Sequence, residues 1–184
     1  MAKRIIMAPG NVHRAVWKAN IPRVISLTLG VIVIFHRFWW SYWFAGVFLL
    51  SYLSGKYIEP DLDQPALTVS DSSMKRDFPI IGYLMVLWWT IYAYVVFALA
   101  LITGKTNGYL GGHRTWASHS IFPGTVLRQI WLDIPIMVPF WIFNWDVNQS
   151  IIPIVLGQFA GLAINDLLHL KYDRKGIDYD KYEK

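Results

Sequence analysis

An all-α bundle of about three to five apolar helices, polytopic in a membrane or associated with one, is the fold class this sequence predicts, on three grounds. The 184 residues are 55% hydrophobic and 16% charged, with a mean hydropathy of +0.36, so ample apolar surface is available to bury and disorder is excluded. Ten Trp, ten Tyr and ten Phe make up 16% of the chain, a density that suits aromatic rings at a membrane–water interface. The 26 residues from Phe78 to Thr103 carry no charge, and about 20 apolar residues cross the hydrocarbon core as a helix. No strand-like alternation, internal repeat or low-complexity tract interrupts this pattern. The length suits one domain: residues 1 to 170 form the helical unit and 171 to 184 a charged, tyrosine-rich tail.

The elements follow in order. Val24 to Phe35 is a short apolar run, and His36-Arg37 marks a tight turn into the longer run Phe38 to Gly55. Phe78 to Thr103 is the clearest membrane segment. Ile134 to Trp145 is short and broken by Pro135 and Pro139, and Val147 to Asn165 closes the set. The short runs read equally as buried or interfacial helices. Residues 1 to 20, 56 to 77, 104 to 129 and 171 to 184 are polar.

Several function classes fall away at once. The chain has no cysteine, so a metal must be held by His, carboxylate or backbone oxygen. The net charge of +5 is spread along the chain and makes no nucleic-acid stripe. Lys3, Arg4, Arg14, Lys18 and Arg23 precede the first apolar run, which reads as a cytoplasmic flank. The first 23 residues lack the apolar core of a cleavable signal peptide.

Four polar clusters could carry chemistry. Pro60-Asp61-Leu62-Asp63-Gln64-Pro65 fixes two carboxylates between prolines, able to converge on one cation; ordinary turn chemistry would place Pro-Asp there as well. Gly111-Gly112-His113-Arg114-Thr115-Trp116-Ala117-Ser118-His119-Ser120 holds two histidines six apart. On a helix they would lie about 120° apart, so they converge only if the backbone turns, as the flanking glycines and Pro123-Gly124 permit. Ser118 or Ser120 can cap a helix starting near Phe122, and the planar fork of Arg114 suits a phosphate or carboxylate. In Asn165-Asp166-Leu167-Leu168-His169, Asp166 and His169 share a helix face. They either coordinate one ion, or the Asp orients the His, or the His sits at a helix C-terminus against the dipole. His13 alone reads as an exposed polar residue, and His36 belongs to the hairpin turn. Together these clusters, all at ends of apolar runs, fit a His/Asp metal site at the mouth of a helical bundle.

The pieces NVHRAVW, PDLD, HRTWASHSIFPGTVLR and NDLLH, in this order over about residues 10 to 170, give the chain a resemblance to a prokaryotic family of metal-binding membrane proteins related to the YdjM-type membrane-bound, metal-dependent hydrolases. The most specific piece is the HR-x-x-x-SHS block followed by GT-x-x-R; PDLD comes next. The resemblance implies that His13, Asp61, Asp63, His113, His119, Asp166 and His169 are metal ligands, and a distant similarity to zinc-dependent phospholipase C implies phosphoester hydrolysis. The family's commonest form has further His or Asp around the final helix, whereas here only Asp166 and His169 remain.

The expected activity is therefore metal-dependent hydrolysis of a phosphoester or lipid-linked substrate. One or two divalent ions, zinc first, would acidify a bound water. Arg114 would hold the phosphate, and Asp63 would stand among the catalytic groups. The expected setting is the prokaryotic cytoplasmic membrane with a cytoplasmic N-terminus. The rival is a non-enzymatic membrane or assembly protein whose ion staples helix ends; a third reading is an ion or proton pathway through the same carboxylates. One difficulty follows from the order of elements. If residues 78 to 103 cross the membrane once, Asp61 and Asp63 lie on the opposite face from His113 and His119.

Overall fold

The computed structural model describes residues 10 to 58, 69 to 103, 120 to 143 and 151 to 175. Asp61, Asp63, His113, Arg114 and His119 lie outside the described residues. Every described element is helical: α1 Gly10–Phe35, α2 Trp40–Leu53 with a 3-10 turn Ser54–Lys56, α3 Val69–Asp77, α4 Ile81–Ile102, a π turn Ile121–Thr125 leading into α5 Val126–Ile142, and α6 Ile151–Lys175.

Four stretches are long and apolar enough to cross a membrane: His13–Phe35, Ile81–Ile102, Ile121–Val138 and Ile151–Lys171. Their outer faces stay bare, with Val33, Ile34, Leu87, Tyr94, Ile136, Val138 and Leu156 all exposed. Apolar surface on that scale far exceeds what a water-soluble monomer shows, and lipid is the solvent it fits. The chain is a polytopic, all-α membrane protein.

Three helices overrun the uncharged runs: α1 and α5 begin earlier, and α6 ends later. α1 takes in Arg14, Lys18 and Arg23, and passes through Pro22. Lys18 and Arg23 are exposed on long stems that can reach the interface, so they do not stop the helix. α5 starts eight residues before Ile134 and runs through Pro135 and Pro139; lost backbone bonds at proline are tolerated where neighbouring groups re-satisfy them. α6 continues past Asn165, so Asp166 and His169 sit within the helix and not at its end. His36 and Arg37 do form the turn between α1 and α2. Ser120 does cap the π turn, its Oγ accepting from Gly124 N at 3.2 Å.

The most extensive packing is α2 against α6, and small residues make it possible. A Cβ on Gly157 would stand 2.5 Å from the Phe44 carbonyl oxygen, and one on Gly161 2.4 Å from that of Phe48. The Gly-x-x-x-Gly spacing lets two backbones touch, as membrane helices do when apolar burial gives them no preference for each other over lipid. α1 is tied to α2 reciprocally: Trp17 Nε1 donates to Tyr52 O at 2.9 Å, and Tyr52 Oη donates to Trp17 O at 2.8 Å. α4 meets α5 through the stacked rings of Trp88 and Trp131, 4.5 Å apart, and Trp131 Nε1 donates to Trp88 O at 3.2 Å.

The bundle has two distinct ends. At one, α1 starts and α6 finishes, with His13 beside His169. At the other, Phe35, Phe38 and Trp40 cluster at the α1–α2 turn, and Trp39 and Trp40 border the start of α6. We call these the histidine end and the tryptophan end.

Candidate functional site

The histidine end holds a buried polar centre. The rings of His13 and His169 stack face to face, centroids 3.8 Å apart and planes 6° from parallel, and both side chains are buried. α1 brings His13 there by running antiparallel to α2, which is locked in turn to α6 by the glycines.

One turn before His169, Asp166 is a fully buried carboxylate. Its Oδ2 accepts from Thr125 Oγ1 at 2.5 Å and from Arg128 Nη2. Arg128 is itself only 1% exposed, so this is an ion pair sealed inside the bundle. Thr125, the last residue of the π turn, and Arg128, in the first turn of α5, are three apart and both reach Asp166. Asn165, on the neighbouring face of α6, donates from Nδ2 to Ile58 O at 3.2 Å. Its side chain fills the space beside Gly55, where a Cβ would come within 2.4 Å. A second polar pair lies deeper between α5 and α6, where Gln158 Nε2 donates to Asp133 Oδ1 at 2.8 Å and Gln129 Nε2 to Val155 O at 2.8 Å.

The surface of this end is braced by α3. Arg14 Nη2 donates to Ser73 Oγ at 2.5 Å. Lys56 Nζ pairs with Asp77 Oδ2, which also accepts from Tyr57 Oη at 3.0 Å, while Arg76 Nε donates to Asp77 Oδ1 at 2.8 Å. The hydrogen bonds from Arg76 and Lys56 hold the Asp77 carboxyl well below the usual carboxylate range, and Asp77 raises Lys56 in return. All three are therefore charged throughout the neutral range.

Of the seven ligands expected from the resemblance, His13, Asp166 and His169 are described. The structure brings the two histidines into contact and places Asp166 one turn away, with Arg128 and Thr125 as its partners. Among the described residues no group of three or more His, Asp or Glu gathers as a metal-holding cluster. Sequence reasoning passed over Arg128, Thr125 and Asn165. The signal for the first two was the GT-x-x-R string, which matched as a pattern without a role; it joins Asp166 across 38 residues of chain.

The flanks of the two outlying motifs share this end. Ile58, just before the segment carrying Asp61 and Asp63, accepts from Asn165. Ser73, soon after that segment, is bonded to Arg14. Ser120, which directly follows His119, accepts at its carbonyl from Thr125 N at 3.2 Å. α4 also starts here, with Phe78 against Tyr57 at 5.4 Å. The expected difficulty with residues 78 to 103 thus takes a definite form: α4 and α5 both start at the histidine end.

No protein-family model, no curated protein and no solved structure matches the chain.

Proposed function

We propose that the histidine end is the metal centre of a membrane-bound hydrolase acting on phosphoester or lipid-linked substrates, of the kind the YdjM-type resemblance implies. The observation that carries this reading is the buried His13–His169 stack, at the end of the bundle to which Ile58, Ser73 and Ser120, the flanks of the outlying motifs, are also tied. In this stack the imidazole planes are nearly parallel, centroids 3.8 Å apart, and the nitrogen lone pairs lie in those planes, so one ring would have to turn for both to bind a single ion at a Zn–N distance of about 2.0–2.1 Å. His13 and His169 would be ligands, joined by Asp61, Asp63, His113 and His119. A bound zinc supplies a water acidified to near neutrality. Asp166, with one oxygen committed to Thr125 and Arg128, is a positioning residue: it fixes the start of α5, and so the place from which the His113–His119 block departs. Arg114 would hold the substrate phosphate.

The test is metal content by mass spectrometry on detergent-purified protein, wild type beside His13→Ala, His169→Ala and His113→Ala. At least one equivalent of zinc in the wild type, lost from all three variants, is the expected result. Stoichiometric metal retained in His13→Ala and His169→Ala would remove the pair from the site. The depth of the pair favours one other reading, a structural ion closing the helix ends. Its mark would be unfolding by a chelator together with no hydrolysis of a chromogenic phosphoester by the loaded protein.

The charge distribution supports a cytoplasmic histidine end, in a prokaryotic cytoplasmic membrane. Arg14, Lys18, Lys56, Lys75, Arg76 and Lys171 lie at or toward it, whereas Arg37 is the one Lys or Arg among the described residues at the tryptophan end; excess Lys and Arg mark the cytoplasmic side. The chain has no cysteine, so single cysteines report cleanly. Lys75→Cys should be shielded from an impermeant maleimide in intact cells and Arg37→Cys labelled; the reverse pattern would invert the topology.

A further inference from the structure

We propose that the corner between α3 and α4 binds an anionic phospholipid, its headgroup phosphate on Lys75 and Arg76 and its acyl chain against Phe78, Ile80 and Ile81. The inference stands apart from the metal reading.

The corner sits at the right depth. α3 lies outside the membrane-crossing stretches and is held on the histidine end by the Arg14–Ser73 and Lys56–Asp77 contacts, while the crossing stretch of α4 begins at Ile81. The sequence Lys75-Arg76-Asp77-Phe78-Pro79-Ile80-Ile81 therefore passes from the headgroup level into hydrocarbon within a few residues.

Its chemistry is two-sided. Lys56 and Arg76 pair with Asp77 and Lys75 stands beside them, so among the described side chains of this corner three cations meet one carboxylate. Arg76 is largely exposed, and the Lys75 ammonium lies over the Tyr83 ring, 5.6 Å from its centroid, which directs that cation toward the start of α4. Below them, Ile80 is 81% and Ile81 62% exposed. A cavity of about 450 Å3 is lined by Asp77, Phe78, Pro79, Ile80 and Ile81. Gly82 keeps the corner closed: a Cβ there would fall 2.1 Å from the Met74 carbonyl oxygen, so only glycine lets α3 fold back and carry its cations over the apolar step.

A soluble anion would use the cations and leave the isoleucines unexplained. Lipid tails without a charged headgroup would do the opposite. An anionic phospholipid meets both, since basic residues next to a membrane helix attract acidic headgroups.

The experiment uses the full chain in a neutral detergent, titrated with dioleoylphosphatidylglycerol, dioleoylphosphatidylcholine or inorganic phosphate, with thermal unfolding as the readout. Saturable stabilisation by the glycerol lipid, absent with the choline lipid, is expected. Lys75→Gln with Arg76→Gln should weaken it on the order of tenfold. Ile80→Ser with Ile81→Ser should weaken it too; Arg76, Ile80 and Ile81 are exposed and Lys75 is part-exposed, so these variants are expected to keep the fold. Equal responses to the two lipids would overturn the proposal. So would an unchanged affinity in the Lys75/Arg76 variant, or the same stabilisation from inorganic phosphate alone.

Discussion

Arg128→Met should destabilise the bundle by about 3–5 kcal/mol, because it strands a buried carboxylate. Asp166 is sealed within the bundle and takes its charge-assisted bonds from Arg128 and Thr125. With the guanidinium gone, only a neutral hydroxyl remains to solvate it. Asp166→Asn should cost a similar amount by leaving the arginine buried beside an amide. The double variant Arg128→Met with Asp166→Leu should recover most of the loss, since two apolar side chains replace the pair without an orphaned charge. Unfolding in detergent, followed by tryptophan fluorescence, reads all three. Loss in the double variant equal to the sum of the singles would show that the two residues do not act as a pair.

Gly161→Ala should cost about 1–3 kcal/mol, and Gly161→Leu considerably more, because overpacking a close helix contact forces the backbones apart. The atom in the way is the Phe48 carbonyl oxygen, 2.4 Å from the added carbon, and a carbonyl within a helix cannot rotate aside. Gly157→Ala meets the Phe44 carbonyl in the same way. Gly46 is the internal control: its Cβ would meet nothing within 4 Å, so Gly46→Ala on the exposed face of the same helix pair should be neutral or slightly stabilising. If Gly46→Ala and Gly161→Ala lower the unfolding temperature equally, propensity and not packing governs this interface.

Much of the fold was legible because hydrocarbon imposes a simple rule on sequence. The charge-free stretch from Phe78 to Thr103 contains α4 to within a few residues of its ends, and the turn at His36-Arg37 and the cap at Ser120 were visible locally. The rule failed where charges are present but satisfied. Arg14, Lys18 and Arg23 read as a polar leader, yet the helix needs only that they point away from lipid or reach the interface. Arg128 and Asp133 hid most of α5 because counting charges ignores the face they occupy; both turn toward α6, to Asp166 and Gln158. The site was legible as a set of motifs and not as a geometry. His13 read alone is an exposed terminal residue, and only the fold reveals that its partner is a ring 156 positions away. Asp166 and His169 were correctly placed on one face, but the partners of Asp166 come from another helix, which no spacing within α6 could show.

The turn at Arg37 has one more consequence. Between Arg37 and Lys56 lie eighteen uncharged residues, about 27 Å if helical throughout, and the glycine contacts press this segment flat along α6 so that it cannot lengthen its path by sliding free. A typical hydrocarbon core is about 30 Å thick. With Arg37 before the segment and Lys56 after it, the mismatch is met either by these long side chains reaching outward to the interface or by the leaflets drawing together beside α2. Such thinning costs a fraction of a kcal/mol per Å, repeated for every lipid in contact. The protein should therefore be most stable in bilayers of shorter acyl chains, and in a membrane of mixed thickness it should collect where the bilayer is thinnest.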